Sequence, residues 1–420
     1  MNKKDLKWLY LDFNSYFATI EQQINPSIRE KPVAIVSTLT DYTCAIAASY
    51  EAKKLGIKTG TMIYQAKKAC PNLICIKADH EKYIAYHHKL IKEINRYIPI
   101  ESICSIDEVV CKLIGIECNP KKAVSIATSI KSGILKNVGD YISCSIGISV
   151  NRFLAKTASN LQKPNGLKIL YKEDIPNRIK HLKLSDLTGI GKRMEYRLNL
   201  ANIRTISSLY QLSPKNMRKI WGSVQGERFW NMLKGNEVEE IATKTSTIGH
   251  SHVLHPDWRN PSLAKHILRR LVLKAASRLR RKAYFCKKIK IYIKIKSGQY
   301  LEGKKKFNKL NDSITLLEKS DIIWEEMINS YKLKKIKQIS VILYDLELLE
   351  SSQTNFLTLL NPQTEQSLQK RNSLSNTMDD INARFGRDSI TIGNLPKSMN
   401  EFSGTKVAFT RIPDIKEFYE

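Results

Sequence analysis

The chain lacks the features that would place it in several common classes. Its eight cysteines (Cys44, Cys70, Cys75, Cys104, Cys111, Cys118, Cys144 and Cys286) include no CxxC pair, which argues against a zinc cage and leaves reduced, mostly core thiols of a cytosolic protein. No run approaches the roughly 20 apolar residues of a membrane span. The charged opening Met1-Asn2-Lys3-Lys4-Asp5 predicts no secretion signal. Acids are also scarce, with 40 Asp and Glu against 69 Lys and Arg, a formal charge of +29. The deficit is local: from Lys265 to Phe307 sixteen basic residues accompany a single acid, Glu302. A lysine-rich codon bias does not explain a local excess, whereas a polyanionic partner does. With 420 residues and 42% hydrophobic composition, the expectation is a soluble, cytoplasmic, monomeric protein of two to four domains.

Three of the few acids stand in apolar surroundings. Asp12 ends the run Leu9-Tyr10-Leu11, and Asp107-Glu108 interrupts Ser105-Ile106 and Val109-Val110. A carboxylate is poor strand material and costly to bury without a partner, so acids at strand ends suggest a bound cation. Two Mg²⁺ ions held by such acids would activate an attacking oxygen and stabilise a leaving phosphate oxygen, the chemistry of a nucleotidyl transferase. An Asp-Glu pair alone is more often a solvated turn or helix start.

Periodicity predicts buried strands over Trp8–Asp12 and Val33–Val36, and helices over Tyr50–Leu55, Met62–Ala69 and His80–Tyr97, the last leading to a strand that carries Asp107 and Glu108. Leu187-Thr188-Gly189-Ile190-Gly191-Lys192 has the glycines of a helix-hairpin-helix, which let backbone N–H groups approach a phosphate; an ordinary helix–helix turn also wants glycine. A helix is expected over about 261–282, with Leu268, Leu271, Ala275 and Leu279 on one side. From Lys288 to Lys296 isoleucines alternate with Lys288, Lys290, Tyr292, Lys294 and Lys296, a strand with one packed and one basic face. Ile339–Tyr344 reads as another strand. His250 and His252 have no further ligands at useful spacing. The fold class is therefore mixed α/β, with acids from two distant strands meeting.

Five segments, taken in order, resemble the motifs of Y-family DNA polymerases, the translesion enzymes related to bacterial polymerases IV and V. They are Tyr10–Gln22, Ala45–Gly60, Ser105–Val110, Ser145–Lys156 and Gln162–Gly166. The resemblance implies a right-hand architecture: palm (1–14 and 81–170), fingers (15–80), helix-hairpin-helix thumb (171–243), little finger (246–349) and a tail (350–420). It implies template-directed, low-fidelity synthesis in DNA repair, with primer-template DNA and deoxynucleoside triphosphates as partners.

By the same resemblance, Asp12, Asp107 and Glu108 would be the catalytic acids holding two Mg²⁺ ions, joined by the Phe13 carbonyl. Tyr16, Tyr50, Lys53 and Lys163 would line the nucleotide site, and Phe17 would be the steric gate against a ribose 2′-hydroxyl, a role compatible with its being a core aromatic. Gly189, Gly191, Lys192, Lys288, Lys290, Lys294 and Lys296 would contact DNA. Lys53 replaces the arginine of many relatives, and Ala47 the threonine of some, which predicts weaker nucleotide binding. Asn14 stands where polymerase IV relatives carry a further acid. Gln353-Thr354-Asn355-Phe356-Leu357 partly resembles a sliding-clamp peptide, with Gln353, Phe356 and Leu357 as its contacts. Asn382–Arg387 and Lys406–Pro413 resemble C-terminal segments of several bacterial members.

The alternatives are a catalytically weak, DNA-binding adaptor of the same superfamily and a palm-type nucleotide cyclase. The three acids favour an enzyme over the adaptor, and the glycine hairpin with its basic strand disfavours the cyclase.

Overall fold

The computed structural model describes residues 6–239, 244–295, 297–349, 362–386 and 389–393, which divide into two compact units meeting in sequence near residue 240. Lys296, Gln353, Phe356, Leu357 and the segment Lys406–Pro413 lie outside the described residues.

The first unit contains β1 (Trp8–Phe13), α1 (Tyr16–Ile24), β2 (Val33–Val36), β3 (Ala45–Ala48), α2 (Tyr50–Lys54), α3 (Ile63–Ala69), β4 (Ile74–Lys77) and α4 (His80–Ile94). It continues with β5 (Ile100–Ser105), β6 (Glu108–Lys112), α5 (Pro120–Asn137), β7 (Cys144–Ser149), α6 (Arg152–Leu161) and β8 (Leu167–Leu170). Four short helices close it: α7 (Lys192–Leu200), α8 (Ile206–Tyr210), α9 (Pro214–Trp221) and α10 (Gln225–Leu233). A five-stranded sheet runs β5-β6-β1-β7-β8, and a small three-stranded sheet runs β3-β2-β4. In the large sheet every residue of the inner strands β1 and β7 is buried.

Gly147 explains how tightly α6 lies on that sheet. A Cβ at this position would stand 2.0 Å from the Ala155 carbonyl oxygen and 2.2 Å from the Ser159 nitrogen, so only glycine permits the approach. Phe153 and Leu154 of α6 then share one hydrophobic cluster with Ile190, just before α7, and with Leu198, Leu209 and Phe229 of α7, α8 and α10. Sheet and small helices are thus joined by a common core.

The second unit contains β9 (Thr247–Val253), α11 (Pro261–Arg281), β10 (Tyr284–Ile295), β11 (Tyr300–Leu310), α12 (Ser313–Tyr331), β12 (Ile336–Leu348) and α13 (Pro362–Phe385). Its antiparallel sheet runs β11-β10-β12-β9. Asn260 caps α11 by accepting from the Leu263 N–H at 2.8 Å, and Asp312 caps α12 by accepting from Thr315 at 2.7 Å. Ile289, Ile291 and Ile293 of β10 pack with Leu268, Leu271 and Leu279 of α11 and Trp324 of α12, each burial contributing roughly 2 kcal/mol.

Two expectations change. Asp107 lies in the β5–β6 turn rather than within a strand, and only Glu108 opens β6. Residues 362–385, read as tail, form a 24-residue helix packed against α11 and α12. Asp379 of α13 accepts from the Arg280 guanidinium at 2.7 and 2.9 Å, and Ser375 Oγ accepts from the Ser313 N–H at 3.0 Å. Among the described residues no helix is long and apolar enough to cross a membrane, and no disulfide joins the eight cysteines.

Candidate active site

Antiparallel pairing places the acids together. Asp12, near the end of β1, stands opposite Glu108 on one side and Ser145 of β7 on the other. The Phe13 N–H donates to the Asp107 carbonyl at 2.9 Å, tying the turn to the same strand end. Asp12 is only 8% exposed. Burial raises its pKa, the adjacent Lys163 opposes that rise, and the Glu108 charge adds to it. Burial likewise raises Asp107; a hydrogen bond from Ser105 Oγ at 2.6 Å opposes it, while Asp12 and Glu108 push it further up.

Lysines answer this repulsion. Lys163 Nζ is 2.6 Å from Asp12 Oδ2, and Lys156 Nζ, from α6, is 2.7 Å from Glu108 Oε1. Tyr10 donates its hydroxyl to Glu108 Oε2 at 2.8 Å. Among the described residues no three His, Cys, Asp or Glu side chains form a closed cation cage. The donor set nonetheless suits a hard divalent cation: Asp12, buried at the end of β1, and the half-buried Asp107 and Glu108 at the β5–β6 turn provide oxygen ligands and excess negative charge.

The expected nucleotide residues gather beside them. Lys53 Nζ donates to Ser15 Oγ at 2.7 Å and lies 4.6 Å from the Tyr50 ring centre. Burial lowers the Lys53 pKa, and the like charge of Lys163 lowers it further against the pull of Asp12 and Asp107. Burial, followed by the Asp12 charge, pushes the Tyr50 hydroxyl up to about 12. Two ammonium groups that repel each other, one of them against the Tyr50 ring, form a setting an oligophosphate would relieve. Ser15 adopts φ 48°, ψ 41° at the start of α1, left-handed backbone that costs a serine roughly 1 kcal/mol.

Phe17 is 4% exposed, stacked on Tyr83 with ring centres 4.4 Å apart and edge-on to His80 at 5.7 Å. It is a packed aromatic, as expected of a core residue and compatible with a gate. Tyr16 is buried too, donating to the Tyr83 carbonyl at 2.7 Å, with burial and then the Asp107 charge raising its pKa.

Gly189 adopts φ +94°, and Gly191 caps α7 with Lys192 exposed at the first helical position. In the second unit, cross-strand register puts Lys304 opposite Lys290 and Lys306 opposite Lys288, on one face with Lys294, Tyr292, Tyr300 and Tyr344. The face carries one acid more than the linear run showed: Glu302 of β11 lies 3.6 Å from Lys290, and Asp345 of β12, from beyond the run, lies 2.9 Å from Lys288. Lysines still outnumber them, and directly opposed like charges are unfavourable without an anion.

Lys156 and Tyr10 were not singled out from sequence. Gly147 was the available signal for Lys156, since it permits the close helix approach that delivers the ammonium to Glu108.

The profile of the impB/mucB/samB family matches residues 11–160, that of the DNA polymerase-iota thumb domain residues 185–237, and that of the impB/mucB/samB C-terminal domain residues 245–356. A DNA polymerase IV of Moorella thermoacetica is 30% identical, over 70% of this chain and 74% of its own. A DNA polymerase IV of Oceanobacillus iheyensis is 28% identical, over 91% of this chain and 90% of its own. Among solved structures, a Y-family DNA polymerase chimera of Dbh and Dpo4 aligns with TM-score 0.69 at 20% identity, covering 81% of this chain and 99% of that one. An insertion ternary complex of Dbh DNA polymerase aligns with TM-score 0.53 at 22% identity, over 81% and 99%.

An acid whose folded pKa exceeds its unfolded value of about 4 loses stability as pH rises through that interval, because the unfolded chain releases its proton first. Asp107→Asn should therefore be more stable than wild type by about 1 kcal/mol at about pH 7 in chelator-treated buffer. The advantage should shrink as pH falls and vanish well below about pH 4, where Asp107 is protonated in the folded and unfolded chain alike. Thermal melts across pH check this, and an Asn variant no more stable at neutral pH would contradict it.

Proposed function

The chain belongs to the Y family of DNA polymerases and is a DNA-directed, translesion DNA polymerase; on that footing we propose that it works by two-metal nucleotidyl transfer at Asp12, Asp107 and Glu108. The observation that carries this is the β1–β6 register, which sets Asp12 opposite Glu108 and binds Phe13 to the Asp107 carbonyl. Asp12, Asp107 and Glu108, with the Phe13 carbonyl, would hold two Mg²⁺ ions. When bound, these ions acidify the primer 3′-hydroxyl and neutralise charge developing on the phosphates.

The chain's own groups supply the rest. Lys53, Lys163 and Tyr50 would bind the triphosphate, with Lys163 moving its charge from Asp12 to the incoming anion. Lys156 and Tyr10 fix the rotation of the Glu108 carboxylate. Tyr16 supports Phe17, whose packed ring would deny space to a ribose 2′-hydroxyl. Gly189, Gly191 and Lys192 would contact backbone phosphates, as would Lys288, Lys290 and Lys294, with Tyr292, Tyr300 and Tyr344 interleaved.

The domain limits follow the sequence reading: palm 1–14 and 81–170, fingers 15–80, thumb 171–243, little finger 246–349. Primer-template DNA and deoxynucleoside triphosphates are the substrates, in keeping with the ternary complex named for the Dbh relative. Clamp docking through Gln353, Phe356 and Leu357, a monomeric state and a cytoplasmic location complete the proposal; clamp binding that survives deletion of 353–357 in calorimetry would remove the first of these.

Primer extension tests the centre. Asp107→Ala and Glu108→Ala should each lower insertion at least a thousandfold, several kcal/mol of transition-state stabilisation, with DNA affinity nearly unchanged. Extension by the double variant within about tenfold of wild type would defeat the two-metal assignment.

In the same assay Phe17→Ala should raise ribonucleotide use relative to deoxyribonucleotide use. Unchanged sugar discrimination would leave Phe17 as a core residue only.

Replacing Lys288, Lys290 and Lys294 with Ser should flatten the dependence of log affinity on log salt, because fewer counterions are released from DNA. An unaltered slope would show that this face does not meet phosphate.

A further inference from the structure

Lys163 reaches Asp12 from a short turn, Lys163–Gly166, between α6 and β8. That turn has little freedom of its own to choose a position. Asn165 sits at φ 56° and Gly166 packs so closely on Gln162 that a Cβ would lie 1.9 Å from its carbonyl oxygen. Three side chains from elsewhere hold it. Asn14 Oδ1 accepts from the Asn165 N–H at 2.8 Å, and Ser145 Oγ accepts from the Gly166 N–H at 3.2 Å. From the other side, Lys131 of α5 donates its ammonium to the Asn165 carbonyl at 2.5 Å and to the Gly166 carbonyl at 3.1 Å.

Asn14 is 2% exposed and is itself fixed: its Nδ2 donates to Ser145 Oγ at 3.0 Å, its Oδ1 accepts from Ser143 Oγ at 3.2 Å, and its carbonyl accepts from Thr19 Oγ1 at 2.7 Å. Lys131 is half-buried, and burial lowers its pKa. An ammonium spent on two carbonyls in that setting is a fastening on the turn. The same side chain borders an open pocket of about 220 Å³ shared with Asp140, Tyr141 and Asn165, so removing its charge does not hollow out a closed core.

We infer that Lys131 and Asn14 are positioning residues for nucleotide binding, locking the Lys163–Gly166 turn so that Lys163 is presented to the triphosphate. The inference rests on the reading of Lys163 as a phosphate ligand. It assigns the amide at position 14 a task, bridging two strands and the turn, that does not involve a metal.

Single-nucleotide insertion by the full chain on primer-template DNA tests it, comparing Lys131→Met, Lys131→Arg, Asn14→Ala, Lys163→Ala and the double variant Lys131→Met/Lys163→Ala. Lys131→Met should raise KM for the deoxynucleoside triphosphate about fivefold with kcat within about twofold, since ligand placement rather than chemistry is loosened. DNA affinity, read by fluorescence anisotropy, should not change, and Lys131→Arg should restore KM. Asn14→Ala should shift KM in the same direction, covering the case in which Lys131→Met folds poorly. Adding Lys131→Met to Lys163→Ala should cause no further rise, because residues acting through one group are not additive. A normal KM in Lys131→Met and Asn14→Ala, beside a raised one in Lys163→Ala, overturns the positioning inference alone. A KM rise from Lys131→Met that persists in the Lys163→Ala background also overturns it. A normal KM in Lys163→Ala instead overturns the reading of Lys163 on which it rests.

Discussion

The antiparallel contact of β1 with β6 forces two carboxylates, Asp12 and Glu108, into register at a strand end where water is largely excluded. A third, Asp107, follows through the Phe13 N–H. Negative charges this close repel one another, which burial and the neighbouring carboxylates express as raised proton affinity at Asp12 and Asp107, and they lower the stability of the fold unless cations stand near. Lys163 and Lys156 act as internal counterions, each within 2.7 Å of its carboxylate. The rest of the site is organised around that electrostatic debt and the groups that offset it.

Close backbone approaches deliver those counterions. Without a side chain at Gly147, α6 can lie against β7 and Lys156 reaches Glu108. Without one at Gly166, the turn folds back on Gln162 and Lys163 reaches Asp12. The same arrangement crowds Lys163 against Lys53, so the site pairs an excess of buried negative charge with a neighbouring excess of positive charge. Cations suit the first and a triphosphate the second. A substrate carrying both would relieve each repulsion at once, which is a physical reason for catalysis to depend on their joint binding.

Much of this was legible in the sequence. An apolar run closed by Asp12 marked β1, the Asp107-Glu108 pair between apolar residues marked the start of β6 though not the turn that holds Asp107, and strict alternation marked β10. Strand β10 is longer than the alternation suggested because a register shift between Cys286 and Lys288 resets the two-residue period. The lysine-rich strand β11 was hidden by its charge, although lysine is what an edge strand uses to discourage pairing with another chain. Asp345 reaches the basic face from β12, outside the run from Lys265 to Phe307, so a count along that run cannot reveal it. Nor could spacing show that Tyr10 and Lys156 converge on Glu108, or that Asp379 pairs with Arg280 across 99 residues. Those contacts belong to the tertiary fold, and local periodicity carries no information about them.

The central claim is that the repulsion among Asp12, Asp107 and Glu108 exists to be met by divalent cations. Counting bound Mn²⁺ by electron paramagnetic resonance tests it most directly, in complexes of the full chain with a dideoxy-terminated primer-template and the matching deoxynucleoside triphosphate. The account predicts two tightly held ions per wild-type complex, and loss of at least one when Asp107 and Glu108 are both changed to Ala. Wild-type stoichiometry and affinity in that variant would contradict it.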